Sequence, residues 1–266
     1  MALVIITGDG AEHRYVTNHL MQAHPVAAVL VCTPPRRRSW KTVLRTAPLR
    51  FVDKALRQIF LRLIGDAAAR EASLRRVLGA SSAAFDRPDL VQQVGRPRDG
   101  GLAQAVAAHP GTVLAIYGTG IIPDDVLALS QGPALNMHTG LSPWYRGVSC
   151  AFWPILEGSP DMVGATVHEC TSEVDGGLIY ARARAALQPD DDLHSIFARA
   201  VVAGTQAYVN VAAEALEDRL AGTAQDLNAG REYRGAMLGL RFELKTRLAL
   251  RRLRRTAALE QAGAAL

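Results

Sequence analysis

The sequence predicts an α/β protein built on a Rossmann-like, doubly wound, mostly parallel sheet. Two observations carry this. Residues 2–6 form an unbroken apolar run ending in the turn Thr7-Gly8-Asp9-Gly10, a helical stretch covers about 11–23, and Pro25 opens a second apolar run over 26–31. Strand, glycine-bearing turn, helix, strand is the order of a βαβ unit, and parallel strands covered on both faces are apolar throughout. The same alternation returns downstream: a helix over 102–109 stops at Pro110-Gly111, a buried strand follows at 113–117, a short helix at 123–130 and a strand at 134–138.

The remaining elements come in order. Asp124 and Asp125 fall in the first turn of the 123–130 helix, where carboxylates complement the dipole. Residues 149–156 read as a helix, and 164–169 and 178–186 alternate as strands with one wet face. Residues 189–192 supply an N-cap for a long helix over 193–220. Two segments stand outside this plan. Residues 34–90 read as a basic helical insertion, with Ala55, Ile59 and Leu63, and Phe60 and Ile64, at helical spacing in a stripe that needs a surface to cover. Residues 223–266 read as a helical, basic tail, helix-prone over 237–253 and carrying Arg251, Arg252, Arg254 and Arg255. The expected division is a catalytic domain over 1–222, insertion included, followed by that tail.

A chain of 266 residues, 49% hydrophobic and 21% charged, has enough apolar side chain for one domain with appendages. Its net charge of +5 favours an anionic substrate or surface. Nucleic acid is disfavoured, because only Trp40, Phe51 and Phe60 accompany the arginines of the insertion as stacking platforms. Cys32, Cys150 and Cys170 lie far apart without a CxxC pair, which reads as reduced, buried thiols. The first apolar run has no basic residue before it and no cleavage site, and no run reaches the ~20 residues of a membrane span, so the expected location is cytoplasmic. The histidines show no ligand spacing with cysteines or carboxylates, so no metal is expected.

The chemistry concentrates in residues 134–147, ALNMHTGLSPWYRG, and 173–177, EVDGG. Asn136 and His138 stand two apart, so in an extended segment their side chains share a face. Asp175 arrives 37 residues later, on a second loop. An amide and an imidazole can donate to an oxygen that gains charge when an amine attacks an acyl carbon, and a carboxylate can hold the imidazole and take the amine proton. Each residue also has a structural reading: Asn and Asp-Gly-Gly are turn formers, and a lone histidine is commonly a satisfied core residue. Residues 7–10 can cradle an anion at a helix start or serve as a plain turn. Neither a P-loop nor a GxSxG elbow occurs.

At these residues the chain resembles the folate-dependent formyltransferases, which include glycinamide ribonucleotide transformylase, methionyl-tRNA formyltransferase and sugar-amine N-formyltransferases. The family pattern is a strand ending Asn-x-His, a loop of the form SLLPxYRG and a later Asp-x-Gly. Here it stands as NMHTGLSPWYRG and VDGG, with AIYGTGIIP at 115–123 resembling the segment that lines the pterin pocket. Gly140-Leu141-Ser142-Pro143 stands where the family has Ser-Leu-Leu-Pro. The resemblance covers about 110–215, extends less strongly over 2–33, and is absent over 34–90 and after about 222. It implies Asn136 and His138 as polarisers of a formyl oxygen and Asp175 as orienter of His138 and proton acceptor. It implies N10-formyltetrahydrofolate as donor, met by Tyr117, Gly118, Gly120, Ile121, Ile122, Pro123 and Glu173. Gly8, Asp9, Gly10, Tyr145, Arg146 and Gly147 are the candidate substrate-binding residues. A tail this short and helical does not suit initiator tRNA, and the first loop lacks the transformylase's Gly/Ser/Asn phosphate cradle. That leaves an amine on a small metabolite, with an amino-sugar nucleotide favoured by its diphosphate. The competing reading is a folate-binding or membrane-surface scaffold, in which the basic helices lie on anionic lipid. The insertion is also a candidate dimer surface.

Overall fold

The computed structural model describes residues 1–34, 45 and 47–264, with side chains as far as Thr256. The first half of the chain contains β1 (Ala2–Thr7), α1 (Ala11–Ala23), β2 (Val26–Val31), α2 (Pro48–Leu63), α3 (Asp66–Leu78), β3 (Val91–Gln93), α4 (Gly101–Ala107), β4 (Thr112–Tyr117) and α5 (Asp124–Leu127). The second half adds β5 (Leu135–His138), β6 (Tyr145–Gly147), α6 (Trp153–Glu157), β7 (Gly164–Glu169), β8 (Ile179–Arg184), α7 (Leu193–Leu216), β9 (Arg231–Tyr233) and α8 (Leu240–Ala264).

The main sheet runs β3-β2-β1-β4-β5-β7-β8. The first five strands are parallel, and β7 and β8 join antiparallel. Strand order reverses between β1 and β4, so the chain leaves their carboxyl ends in opposite directions and opens a crevice there, the usual ligand position in such sheets. Both faces are covered. Leu3, Ile5 and Val29 pack under α1, α3 and α7, while Val4, Ile6 and Leu30 pack under α4 and α5. Each fully buried Leu or Ile here contributes about 1.5–3 kcal/mol. α7 lies close on the sheet because Gly204 has no side chain: a Cβ there would sit 2.6 Å from the Ala165 methyl. From the same helix, the buried Tyr208 hydroxyl lies 3.1 Å from the carbonyl oxygens of both Ile116 and Leu135.

The α/β expectation and most element positions agree with this architecture, and five local expectations do not. The three-residue, polar β3 was not foreseen. The helix expected over 149–156 starts only at Trp153, because Ser149 takes a left-handed backbone conformation (φ 58°). α7 ends at Leu216, short of 220, and Asp218 turns left-handed just beyond it. Residues 223–239 hold no α-helix, only short 3-10 turns at Leu227–Ala229 and Gly235–Met237: β9 returns to pair in parallel with β6, and the tail helix begins at Leu240.

The insertion also divides differently. α3 is part of the core, burying Ser73, Leu74 and Leu78 against α1 and α7, and the Ser73 hydroxyl donates to Asp192 (2.6 Å). α2 does not use its apolar stripe to cover the protein. It is held by its polar side: Asp53 accepts from the Leu240 amide at the start of α8 (3.0 Å), and the Arg57 guanidinium donates to Glu243 (3.0 and 3.1 Å). Arg36, Arg37, Arg38, Trp40 and Lys41 lie outside the described residues.

Candidate active site

β5 carries Asn136 and His138 to the carboxyl edge of the sheet. β7 lies antiparallel beside it, with Asn136 opposite His168 and His138 opposite Thr166, so all four side chains share one face. Met137 and Val167 point the other way, into the core. This pleat is why the sequence alternates polar and apolar at the end of β5. Thr166 is fully buried. Its hydroxyl donates to the Gly140 carbonyl (2.8 Å) and accepts from the Ser142 amide (2.9 Å), which pins the loop after His138. Gly140 is required by space: a Cβ would strike the His138 ring, come within 2.5 Å of the Cys150 Cβ and within 2.6 Å of the Tyr145 carbonyl oxygen.

Asp175 sits in a left-handed conformation (φ 49°), accessible to Asp at modest strain, and the turn sends its carboxylate back toward β5. Its Oδ2 lies 3.4 Å from His138 Nδ1 and accepts from the Gly147 amide at 2.7 Å, while Oδ1 lies 3.4 Å from His168 Nε2. Gln225, from the tail, donates to the carbonyls of Asp175 (2.9 Å) and Gly177 (2.7 Å), fixing the turn from behind. Burial alone would raise the Asp175 pKa. The neighbouring His138 ring and the Gly147 amide outweigh it and hold the group at about 2, so it is ionised at neutral pH.

His138 faces acceptors on both sides, since Nε2 donates to the Tyr145 carbonyl (3.0 Å) and Nδ1 faces Asp175. Both contacts are satisfied only by an imidazolium. Burial opposes that charge more strongly, His168 adds to the opposition, and the pKa is held below the ordinary histidine value. The ring is therefore neutral at rest and gains a proton most readily when negative charge develops beside it.

His168, which sequence reasoning did not single out, decides how Asn136 points. Its Nδ1 donates to the Glu169 carbonyl (2.7 Å), which leaves Nε2 to accept from Asn136 Nδ2 (3.0 Å). One amide hydrogen of Asn136 is thus fixed and the other is free to donate. The signal was the register of two strands, which the alternation in GATVHE could have exposed only with the pairing known.

The trio lines a crevice of about 640 Å³ at the β1/β4 switch point. Tyr117, Gly118, Gly120, Ile121, Ile122 and Glu173 are on its wall, with Ile121 59% exposed at the rim, whereas Pro123 is not. Glu12 and His13, after β1, also line it. His13 accepts from the Gly10 amide (3.2 Å) and lies 3.2 Å from the Gly118 carbonyl oxygen, bridging the loops after β1 and β4. Glu12 takes Arg70 (2.7 Å) on one oxygen and buries the other without a partner.

Of the candidate substrate residues, Gly147 is at the crevice and the others are not in its lining. Asp9 pairs with Arg14 (2.7 Å). The Arg146 guanidinium donates to the Leu227 carbonyl (3.1 Å). The Tyr145 ring stacks near Tyr233 in a cluster with Trp153 and Phe242, and its hydroxyl donates to Glu157 (2.9 Å). Only its carbonyl reaches the site. Tyr145 is a candidate through its place in the family-like loop, and the unforeseen β6–β9 pair and its neighbours bury its ring and hydroxyl. β9 and its flanks instead bring Glu232, Tyr233, Arg234 and Gly235 to the crevice.

A second cavity, of about 330 Å³, adjoins this one. Thr139 and Phe197 line both, and its remaining wall comes from Ser149, Ala151 and Phe152 and from α2, α3, α7 and α8, including Arg57, Arg70 and Arg247.

The sheet and the crevice at its switch point place the chain among Rossmann-like α/β proteins. More narrowly, it belongs to the formyl transferase family, whose profile matches residues 2–212. Its fold is similar to that of a sugar N-formyltransferase from a Shewanella species (TM-score 0.57, 12% identity, 94% of this chain and 87% of that one). It is similar also to phosphoribosylglycinamide formyltransferase from Anaplasma phagocytophilum (0.53, 16%, 84% and 92%). A third is an N-formyltransferase from Helicobacter canadensis, solved with folinic acid and dTDP-3-aminofucose (0.55, 11%, 94% and 80%).

Proposed function

We propose that this chain moves a formyl group from N10-formyltetrahydrofolate to a primary amine of a small metabolite, with an amino-sugar nucleotide as the favoured acceptor. The observation that carries the reading is the contact network lining the crevice, in which His168 stands between Asn136 and the ionised Asp175, and Asp175 faces His138. The wall over residues 117–122 and Glu173 suits a flat, hydrogen-bonding pterin, since it offers backbone groups at Gly118 and Gly120 and the apolar edge of Ile121. Bound there, the donor supplies the formyl group.

The protein's part is electrostatic and positional. Asn136 directs its free N–H at the place where the formyl oxygen gains charge, a donor typically worth about 2.7–4 kcal/mol, and the His138 ring, held between the Tyr145 carbonyl and Asp175, offsets that charge as it gains a proton. Developing charge there raises the proton affinity of His138. Asp175 holds that ring and relays the proton the amine sheds, directly or through one water, to N10 of the donor, so that the new C–N bond forms as the C–N10 bond breaks and tetrahydrofolate leaves. The acceptor would enter through the second cavity, where Arg57, Arg70 and Arg247 offer donors to an anionic group. The amino-sugar nucleotide in the Helicobacter canadensis neighbour supports this acceptor class.

The test is a thermal melt titrated with 5-formyltetrahydrofolate, a stable surrogate of the donor, followed by mass spectrometry of nucleotide-linked amino sugars incubated with enzyme and donor. A saturable rise in Tm and an acceptor gaining one formyl group are expected. Absence of any shift at millimolar ligand refutes the donor. A shift with no sugar product refutes the acceptor class alone.

A further inference from the structure

α2 presents an apolar face to solvent. Leu49, Val52, Leu56, Ile59 and Leu63 recur at spacings of three and four, which places them within an arc of about 80° on the helix. They are between 47% and 84% exposed. Nothing about the helix forces this arrangement, since α2 is anchored by Asp53 and Arg57 on its other side. A continuous aliphatic strip of this kind on a soluble domain marks a contact surface.

Charge identifies the occupant. Within residues 48–63 and 240–256 the acids are Asp53 and Glu243, and both are turned inward, onto the start of α8 and onto Arg57 and Arg247. The outward ions are all basic. α2 exposes Arg50, Lys54 and Arg62, and α8, packed against it, exposes Arg241, Lys245, Arg251, Arg252 and Arg255 around Leu244 and Leu248. A second copy of the same face would set cation against cation. A nucleic acid would satisfy the cations and leave the aliphatic strip in water. An anionic bilayer satisfies both: aliphatic side chains enter the boundary between headgroups and acyl chains, and guanidinium and ammonium groups meet lipid phosphates. No helix among the described residues is long and apolar enough to cross a membrane, so the contact is peripheral.

We propose that the face formed by α2 and α8 docks this enzyme on an anionic lipid surface. Arg57 and Glu243 tie these helices to each other and also line the second cavity, so docking sets that cavity beside the lipid headgroups.

The test is co-sedimentation of the full chain with vesicles of phosphatidylglycerol and phosphatidylcholine in equal parts, and with pure phosphatidylcholine. Binding is expected to the anionic vesicles only and to weaken in high salt, where the Debye length shrinks to about 3 Å. The double variant Leu56→Glu/Ile59→Glu is expected to bind at least about tenfold more weakly. Arg251→Gln/Arg252→Gln/Arg255→Gln should also weaken binding and flatten its salt dependence. Because these side chains are exposed, both variants should keep the wild-type circular dichroism spectrum and melting temperature. No pelleting at low salt, equal pelleting with neutral vesicles, or unchanged binding in the Leu56/Ile59 variant overturns the proposal. So does a wild-type dimer that the same variant converts to monomer, which would assign the face to a second copy.

Discussion

Asp175→Asn isolates the charge of the carboxylate from its shape. The amide keeps the size of the side chain and can still accept from the Gly147 amide, held 2.7 Å from Oδ2, so the turn should survive. What disappears is the negative charge 3.4 Å from His138 Nδ1. At that distance and an effective dielectric of about 20, two unit charges attract by about 5 kcal/mol, which bounds what Asp175 adds when His138 becomes cationic in the transition state. Truncating one partner of a buried, hydrogen-bonded charge pair costs about 2–5 kcal/mol in practice. The expected loss in kcat is therefore about 30-fold to several thousand-fold, at 1.36 kcal/mol per decade. The donor-induced rise in Tm should persist, since the pterin wall over 117–122 is untouched. The pH profile gives the sign. Asp175 raises the His138 pKa against the effect of burial, so its neutralisation lowers that pKa further and moves the acid limb assigned to His138 to lower pH. The assay is steady-state formyl transfer from pH 5 to 9 on wild type and variant. A kcat within about threefold of wild type, or an acid limb moved upward, refutes the electrostatic role.

Gly140→Ala would place a methyl 2.5 Å from the Cys150 Cβ and 2.6 Å from the Tyr145 carbonyl oxygen, where ordinary contacts begin at 3.4 Å, and against the His138 ring. It should cost about 1–3 kcal/mol in a denaturant melt and about 100-fold in kcat, with a smaller effect on KM. Unchanged turnover would show that the imidazole does not need its present position. Thr166→Val keeps volume and leaves the buried Gly140 carbonyl and Ser142 amide without their side-chain partner, so the denaturation midpoint should report a loss of about 2–5 kcal/mol. A loss below about 0.5 kcal/mol would refute the bridge. Stability should also fall on acidification in two stages. His138 has a lowered pKa when folded, so its contribution is complete above the unfolded value of about 6.5 and shrinks below it. Asp175, also lowered, loses its contribution from about pH 4 down through about 2. Tm measured against pH should decline below 6.5 in wild type and less so in His138→Gln. Parallel profiles for the two proteins would rule out a buried neutral ring.

The legible parts of this chain were those whose physics is local in sequence. β1, β2 and β4 announce themselves as apolar runs, because strands buried on both faces cannot do otherwise. Asn136 and His138 were legible because a pleat puts residues two apart on one face, and Asp175 because a following Gly-Gly makes a turn. The hidden parts depend on pairing between distant segments. His168 matters through its place opposite Asn136, a register that no single strand encodes. Tyr145 looked free until β9, three polar-flanked residues more than eighty positions away, paired with β6 and stacked Tyr233 near its ring. The amphipathic period of α2 was read from sequence, but which face would be covered depended on Asp53 and Arg57 finding α8.

The same dependence brings residues from beyond position 222, where the tail is expected to follow the catalytic domain, to the site. Composition changes there, and the family profile ends at 212, yet residues beyond 222 complete the site. Gln225 secures the backbone of the Asp175 turn, residues 232–235 form one side of the crevice, and Phe242, Glu243, Thr246 and Arg247 on α8 line the second cavity. On the opposite side the insertion supplies Arg57, Asp66 and Arg70, and the Arg57–Glu243 and Arg247–Asp66 pairs join it to the tail. The insertion and the tail therefore meet over the second cavity. Asn136 and His138 sit on β5 and Asp175 on the turn after β7, whereas the second cavity is walled largely by helices of the insertion and the tail, which can change charge and exposed surface without disturbing β5, β7 or that turn.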